Sequence, residues 1–282
     1  MVYSVLMMSK VLMVSSSGYY KWRNNRDVVS NKHQQLDKNI KDIFDTSKGS
    51  YGSPRVAIAL SETDTAVSKN TVARRMKIMN LTARPKKKYV VTTDSDHDCK
   101  VPENLLNRAF KVDTLNSVWV SDITYVRVAN YWMYLTVIID LADRMVVGWS
   151  LSSNMTANNT VIAAFKMAVA SRGLTKNHQL LFHSDRGVQY ACHDFVNLLK
   201  AYNCTQSMSR KGNCWDNAVA ESFFKTIKVE CLNMYIFNNQ ELLKKILFRY
   251  IEGWYNTRRI HSALDYKSPL SIFKLKSVCL AA

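Results

Sequence analysis

The sequence predicts an α/β domain with a mixed β-sheet, preceded by a small all-α domain. Residues 33–79 repeat apolar side chains at helical spacing, whereas from residue 117 the apolar residues alternate or run together as they do in strands. Residues 82–104 are polar, charged and without a period, as expected of a linker. Beyond residue 117 the elements follow the order βββ-α-β-α-β-α, which is typical of a mixed sheet covered by helices.

Residues 1–32 are predicted to form a short helical segment. Their apolar stretch has some features of a secretory signal, but no basic residues precede it and Lys10 interrupts it. No apolar run approaches the roughly 18 residues that span a bilayer. We therefore expect a cytoplasmic protein.

Residues 33–81 are predicted to form three short helices. The first has an apolar face made of Leu36, Ile40, Ile43 and Phe44. Pro54 suits the start of the second helix.

The third helix is predicted to begin after Ser68 as its N-cap. Val72, Met76 and Met79 are expected to face inward. The polar residues expected to face outward are Lys69, Asn70, Arg74, Arg75 and Lys77. A turn followed by a basic helix is the layout of a helix-turn-helix DNA reader. An ordinary helical hairpin with a solvated basic face fits the same residues equally well.

The charge balance indicates a polyanionic partner. Lysine and arginine number 39 against 22 aspartates and glutamates, a net charge of +17, while 47% of the residues are hydrophobic, enough for a buried core. Such an excess implies nucleic acid or an anionic membrane surface. A basic surface that serves solubility alone is the other interpretation.

The cysteines and histidines do not predict a zinc site or a disulfide framework. The six cysteines form no CxxC pair, and the six histidines do not combine with them at zinc-finger spacing. His183 lies close to Asp185, but a lone histidine near a strand end is more often structural. We expect reduced thiols and no zinc.

Three acidic residues occupy positions from which carboxylates can converge. Asp122 lies in the middle of the first predicted strand among apolar neighbours, where a carboxylate must be paired, hydrogen-bonded or bound to metal. Asp185 ends a buried strand, and functional groups of α/β sheets gather beyond such ends. Glu221 lies near the start of a helix. Oxygen ligands of this kind suit one or two Mg²⁺ ions.

The segments around these acids resemble a known family. WVSDITYV, HSDRGVQY and MSRKGNCWDNAVAESFFKTIKVE are similar to the three catalytic blocks of the insertion-sequence transposases called the IS-three (IS3) family, in particular its downstream reading-frame product, OrfB. Between Asp185 and Glu221 lie 35 residues, the spacing of the family's D,D(35)E signature. Lys228, seven positions after Glu221, matches its basic residue. The tail YNTRRIHSALDYKSP and the segment KGSYGSPRVAIAL resemble the closing block and the helix-turn-helix region.

The resemblance implies both a fold and an activity. The expected fold is a ribonuclease-H-like, retroviral-integrase-like core at residues 113–235, with a helix-turn-helix domain at 33–81, a basic linker at 82–112 and a C-terminal helix and tail at 236–282. The expected activity is cleavage and transfer of DNA strands at the element's ends, with Asp122, Asp185 and Glu221 holding Mg²⁺ or Mn²⁺, in two ions. No HHCC zinc module stands at the N-terminus, unlike in retroviral integrases.

The resemblance also implies partners. These are double-stranded DNA (terminal inverted repeats and target), further copies of the chain in a homo-oligomer on DNA, and the product of an upstream reading frame, fused or separate. A membrane is not expected, and DNA binding would place the chain at the nucleoid.

Several residues keep two interpretations. Lys228 either contacts a DNA phosphate or is a solvated helix residue, and Trp215 is either a core residue or a base-stacking element. Arg258, Arg259 and His261 either contact DNA or pack the tail on the core. Gly212 and residues 213–217 favour a mobile loop, and turn chemistry accounts for Asp140 and Asp143.

Two other functions fit parts of the sequence. A non-catalytic DNA-binding regulator would use the helix-turn-helix and leave the acid triad unexplained. A ribonuclease-H-like nuclease without strand transfer would leave the N-terminal DNA reader and the basic tail unexplained.

Overall fold

The computed structural model describes residues 4–25, 31–63, 65–84, 101–176 and 178–281 of the chain. The chain divides into two compact units, Met1–Ala83 and Arg84–Ala282. In the described ranges, no helix is both long enough and apolar enough to cross a membrane.

The first unit consists of helices. They are α1 (Val5–Val11), α2 (Ser16–Asn25), α3 (Asn31–Thr46), α4 (Ser53–Ser61) and α5 (Lys69–Ile78). Helices α3, α4 and α5 contact one another and bury a small apolar core made of Leu36, Ile40, Val56, Leu60, Val72 and Met76. The predicted cap of α5 is confirmed, since the Ser68 hydroxyl accepts a hydrogen bond from the Thr71 amide at 3.2 Å.

The second unit is built on a five-stranded sheet. The strands are β1 (Val118–Val128), β2 (Tyr131–Asp140), β3 (Val146–Ser152), β4 (Leu180–Ser184) and β5 (Cys204–Met208), in the order β3-β2-β1-β4-β5. The first three strands are antiparallel, whereas β4 runs parallel to β1 and β5 parallel to β4. This arrangement confirms the predicted mixed sheet.

Helices cover both faces of this sheet. They are α6 (Ala163–Arg172), α7 (Val188–Ala191), α8 (His193–Ala201), α9 (Ala218–Glu230), α10 (Gln240–Tyr250) and α11 (Pro269–Ala281), with a π-helical turn before α6 and another after α10. Side chains alternate along a strand, so β1 sends Trp119 into one buried cluster and Val120 into the other. The Trp119 cluster includes Phe165, Phe182 and Phe195, and the Val120 cluster includes residues of α9 and α10.

One glycine allows the close packing of α6 against β3. A Cβ atom on Gly148 would lie 2.3 Å from the Ala164 carbonyl oxygen and 2.8 Å from the Ala168 amide nitrogen, so no larger residue fits there.

The sequence interpretation missed one element at the C-terminus. Within the predicted tail, a further helix, α11, begins at Pro269, a residue well suited to a first helical turn. The Lys276 ammonium group holds α11 in place by donating hydrogen bonds to the carbonyl oxygens of Val112, Asp113 and Ala142 at 3.3, 2.7 and 3.0 Å.

Candidate active site

The register of the parallel strands brings two of the three predicted acids side by side. Ser121 of β1 is paired with Ser184, the last residue of β4. Asp122, within β1, and Asp185, directly after the end of β4, each follow one of these paired serines, so the two acids lie side by side. Asp122 is 7% exposed and Asp185 is half-buried.

The third acid comes from the helix that packs on β1. Glu221 lies in the first turn of α9, and α9 contacts β1. The start of this helix is fixed by Asn217, whose side-chain amide donates a 2.9 Å hydrogen bond to the Ser121 carbonyl oxygen, one residue before Asp122. The carboxylates of Asp122 and Glu221 are thereby held in neighbouring elements.

Backbone amides orient the two strand acids. The Ile123 amide donates to Asp122 Oδ1 at 2.8 Å, and the Gly187 amide donates to Asp185 Oδ1 at 3.0 Å. Gly187 also leaves room for this turn, since a Cβ atom there would lie 3.2 Å from the same Asp185 oxygen.

The electrostatics show that the three carboxylates lie close enough to influence one another. Burial raises the pKa of Asp122 well above its usual range, the negative charges of Asp185 and Glu221 raise it further, and Lys228 opposes them. Burial also raises the pKa of Glu221, while Lys225, 3.7 Å away, lowers it and Asp185 raises it. The cluster therefore concentrates negative charge in a place with little water.

Lys228 lies within the same electrostatic environment. It is half-buried on α9, and burial lowers its pKa while the charge of Asp122 raises it. A fully solvated helix residue would not experience such burial, so this interpretation of Lys228 is wrong. Its contact with DNA stays a prediction.

The donor set fits a hard divalent cation. All three side chains offer carboxylate oxygens, the ligands that Mg²⁺ and Mn²⁺ prefer, and a cation would offset their mutual repulsion. Across the ranges described above, no three Asp, Glu, His or Cys side chains are arranged to hold a metal ion as they stand.

The other buried acids near the sheet are structural. Asp140 accepts hydrogen bonds from the Asn116 and Ala142 amides at 2.8 and 2.9 Å. Asp143 accepts one from the Met145 amide at 2.8 Å and forms an ion pair with Arg172. Turn chemistry accounts for the Ala142 and Met145 contacts as predicted, but the contact with Asn116 and the ion pair with Arg172 were not foreseen.

His183 is also structural, as expected. Its ring is buried in β4 and lies 2.9 Å from the Ser207 hydroxyl through Nδ1 and 3.3 Å from the Ser209 hydroxyl through Nε2. Burial lowers its pKa to about 4, so it is neutral at physiological pH.

The basic face of α5 is exposed with one exception. The side chains of Lys69, Asn70, Arg74 and Lys77 are exposed. The predicted outward orientation of Arg75 is wrong, because its guanidinium group pairs with Asp37 of α3 through two contacts, one of them 2.7 Å long between Nε and Oδ1, and is 14% exposed. Arg75 therefore links α5 to α3 instead of facing solvent.

The two arginines of the tail differ in the same way. Arg258 is exposed, whereas the Arg259 side chain is 4% exposed and grips both oxygens of Glu230 at 2.8 Å. The Tyr250 hydroxyl donates to the same carboxylate at 2.8 Å. The DNA-contact interpretation of Arg259 is therefore wrong, and the packing interpretation is confirmed. This cluster fixes the end of α9, the helix that carries Glu221.

The segment before α9 is anchored, in contrast to the expected mobile loop. Asp216 is fully buried and accepts hydrogen bonds from the Arg210 amide and guanidinium group and from Arg108 Nε, which lower its pKa. The core-residue interpretation of Trp215 is wrong, because 69% of its surface is exposed. Asp216, Arg108 and Asn217 are site-supporting residues that the sequence interpretation missed, since long-range pairs leave no local pattern.

Family profiles match most of the chain. Profiles described as "Integrase core domain" match residues 113–214 and 202–269, and one described as "HTH-like domain" matches residues 31–89.

Individual relatives agree with these profiles. The chain is 38% identical to the "Transposase InsF for insertion sequence IS3A" of Escherichia coli (strain K12), over 95% of this chain and 93% of that protein. It is 37% identical to the "Insertion element IS600 uncharacterized 31 kDa protein" of Shigella sonnei, over 93% and 96%. Among solved structures it resembles the HTLV-2 integrase catalytic core domain (TM-score 0.42, 22% identity, 56% of this chain and 97% of that chain) and the catalytic domain of Mos1 mariner transposase (0.43, 15%, 49% and 71%).

Proposed function

Because this chain belongs to the IS3 family of insertion-sequence transposases and carries an integrase catalytic core, it is an enzyme of DNA transposition, and we propose that its chemistry takes place at Asp122, Asp185 and Glu221. The observation that supports this assignment is the convergence of the three carboxylates. They come from β1, the end of β4 and the first turn of α9; the charges of Asp185 and Glu221 raise the pKa of Asp122, and the charge of Asp185 raises the pKa of Glu221.

The three carboxylates would hold Mg²⁺ or Mn²⁺, in two ions. Asp122 and Asp185 would share them, and Glu221 would complete the second site. When bound, such ions supply positive charge that activates an attacking oxygen and stabilises a leaving one. The protein's part is to hold the carboxylates in place, through Asn217 on Ser121 and through the amides of Ile123 and Gly187.

The resemblance to the family implies two successive displacements at phosphorus at this site. A water molecule attacks the phosphodiester at the end of the element and frees a 3′ hydroxyl group. That hydroxyl group then attacks a second phosphodiester, so that one bond to phosphorus forms as another breaks. Because the nucleophiles are water and DNA, no covalent link between protein and DNA forms. The resemblance to the family further implies that the first transfer would join the element's own two ends before integration.

We propose DNA contacts for Lys228 and for exposed polar residues of α5 and the tail. Lys228 lies two helical turns after Glu221, about 10 Å along the axis at about 1.5 Å per residue, a distance suited to a neighbouring phosphate. Arg258 would contact another phosphate. The exposed residues of α5 would contact further phosphates; they are Lys69, Asn70, Arg74 and Lys77. Arg75 and Arg259 are excluded as DNA contacts because their guanidinium groups already form ion pairs with carboxylates of the protein.

The functions divide along the chain. Residues 33–81 would recognise DNA, 82–112 would link this domain to the core, 113–235 would carry the chemistry, and 236–282 would brace α9 through Arg259. Residues 1–32 precede this DNA-recognition domain. Two DNA ends must be held together for joining, so the working form would be a homo-oligomer on DNA, with or without the upstream-frame product.

A strand-joining experiment tests the function. The full chain is incubated in Mg²⁺ with a duplex carrying the terminal inverted repeat of its own element, and cleaved and joined strands are separated by size. We expect both products from the wild type and neither from Asp185→Asn. A protein that binds the duplex but never cleaves it would be a non-catalytic regulator, and cleavage without joining would indicate a nuclease.

A binding experiment tests the DNA contacts of α5. Each lost phosphate contact reduces the slope of log affinity against log salt by about one. We therefore expect Lys69→Ala and Arg74→Ala to lower affinity and slope in the full chain, whereas Lys38→Ala, an exposed lysine on α3, should change neither. Equal effects of all three substitutions would contradict a reading face on α5.

A further inference from the structure

The most exposed tryptophan of the chain lies beside the proposed active site. All six tryptophans fall within the described residues, and Trp215 has the largest exposed fraction, at 69%, ahead of Trp22 and Trp132. It lies in the 3₁₀ turn Cys214–Asn217, directly before α9, and precedes Glu221 by six residues. Exposure forfeits the free energy that burial of an indole would provide.

The backbone beneath this ring is fixed, so its exposure is built in. On the C-terminal side, Asp216 is fully buried and forms ion pairs with Arg108 and Arg210. The next residue, Asn217, is hydrogen-bonded to Ser121. Asn213 accepts a 2.9 Å hydrogen bond from Arg108. The same Asn217 contact positions Asp122 and Glu221, so Trp215 occupies a defined place relative to the acids.

The surroundings of the indole are basic. Arg108 and Arg210 have side chains that are 46% and 51% exposed, and they share a single carboxylate, Asp216. Lys211 is also exposed, and Gly212 with φ +69° turns the chain between it and the tryptophan. An exposed aromatic ring among cations is the combination that binds the bases and backbone of nucleic acid.

We propose that Trp215 stacks on an unpaired DNA base next to the phosphodiester that is cleaved. Resting on the function proposed above, this inference adds that the terminal base pair opens during the reaction. Bases within a duplex already stack on one another, so only a base displaced from its partner offers a face to the indole. Arg108, Arg210 and Lys211, which lie in or are bonded to the same segment, would hold the backbone of the displaced nucleotide.

Cross-linking tests this contact without depending on activity. A duplex with the element's terminal repeat carries 5-iodouracil at positions flanking the cleavage site, and the complex with the full chain is irradiated and mapped by mass spectrometry. We expect an adduct on Trp215 from one of these positions. Adducts only on other residues, with the duplex bound, would overturn the proposal.

Kinetics supply the second readout. Base–aromatic stacking of about 1–3 kcal/mol corresponds to a factor of roughly 5 to 150. We expect Trp215→Ala to slow joining by a factor in this range and Trp215→Phe to keep most of the rate. An unpaired terminal base in the duplex should restore part of the Trp215→Ala rate. Trp132→Ala, another exposed tryptophan, serves as the control and should join like the wild type.

The outcomes separate this inference from the proposed function. If Trp215→Ala joins at the wild-type rate while Asp185→Asn is inactive, the stacking role is wrong and the active site stands. If Trp215→Ala binds the duplex but fails both to join and to associate with a second copy of the chain, and no adduct forms on Trp215, the ring contacts protein instead and the stacking role is again overturned.

Discussion

The sheet carries two groups of buried carboxylates whose surroundings differ. Asp140 and Asp143 face the buried guanidinium group of Arg172, and three backbone amides bond to them. Asp122 instead lies near two further carboxylates, Asp185 and Glu221. Two cations oppose this negative charge: the half-buried Lys228, and Lys225, which pairs with Glu221. Burial therefore does not distinguish a catalytic acid from a structural one. The counter-charge differs, because the two cations Arg172 and Lys276 oppose the two structural carboxylates, whereas the two cations Lys225 and Lys228 oppose the three carboxylates of the proposed catalytic group.

The largest expected effect is on activity at the second group. Asp122→Asn, Asp185→Asn and Glu221→Gln keep side-chain size but remove metal-binding charge. We expect each to lower joining by at least about 10³-fold, the loss of roughly 4 kcal/mol of charge stabilisation. The free energy of unfolding, measured in urea, should stay equal or rise because repulsion between carboxylates is relieved. Any variant that joins at a near-wild-type rate would remove its residue from the site.

The next effect concerns a neutralised ion pair elsewhere in the core. Arg259→Ala leaves Glu230 buried without its guanidinium partner, which should lower the free energy of unfolding by about 3–5 kcal/mol. Arg258→Ala, the exposed neighbour, should change it by less than about 0.5 kcal/mol. Urea unfolding of both variants gives the comparison, and similar losses would mean that the buried pair is not what holds the tail.

The smallest effect is a pH dependence at the first group. Burial, followed by the charge of Asp143, raises the pKa of Asp140 to about 6, above about 3.9 in the unfolded chain. The folded carboxyl group therefore binds its proton more tightly, and its contribution to stability is present below pH 4 and lost as the pH rises through 6.

Asp140→Asn removes this pH-dependent loss of stability, because an amide side chain does not ionise. The stability of the variant relative to the wild type should therefore rise by about 1 kcal/mol between pH 5 and 7.5. Urea unfolding at both pH values measures the difference. A constant difference would show that Asp140 is ionised throughout this range, and that Arg172 neutralises it more strongly than its raised pKa indicates.

The two groups also show how far the sequence can be interpreted. The order of elements along the chain, the mixed sheet and the position of Asp122 follow from hydrophobic patterns, and Asp185 could be placed because it ends a buried strand. The side-chain pairs could not be predicted. Arg108 with Asp216, Arg75 with Asp37 and Arg259 with Glu230 join residues 108, 38 and 29 positions apart, and packing alone decides such contacts. Two of these pairs occupy arginines that the sequence favoured as DNA contacts.

Counting bound Mn²⁺ tests most directly whether Asp122, Asp185 and Glu221 form the metal site. The protein is mixed with its terminal-repeat duplex, and free Mn²⁺ is measured by electron paramagnetic resonance during a titration. We expect two bound ions per active site in the wild type and in Asp140→Asn, and weaker or fewer bound ions in Asp122→Asn, Asp185→Asn and Glu221→Gln. Undiminished binding in Asp122→Asn, or a loss confined to Asp140→Asn, would contradict the assignment.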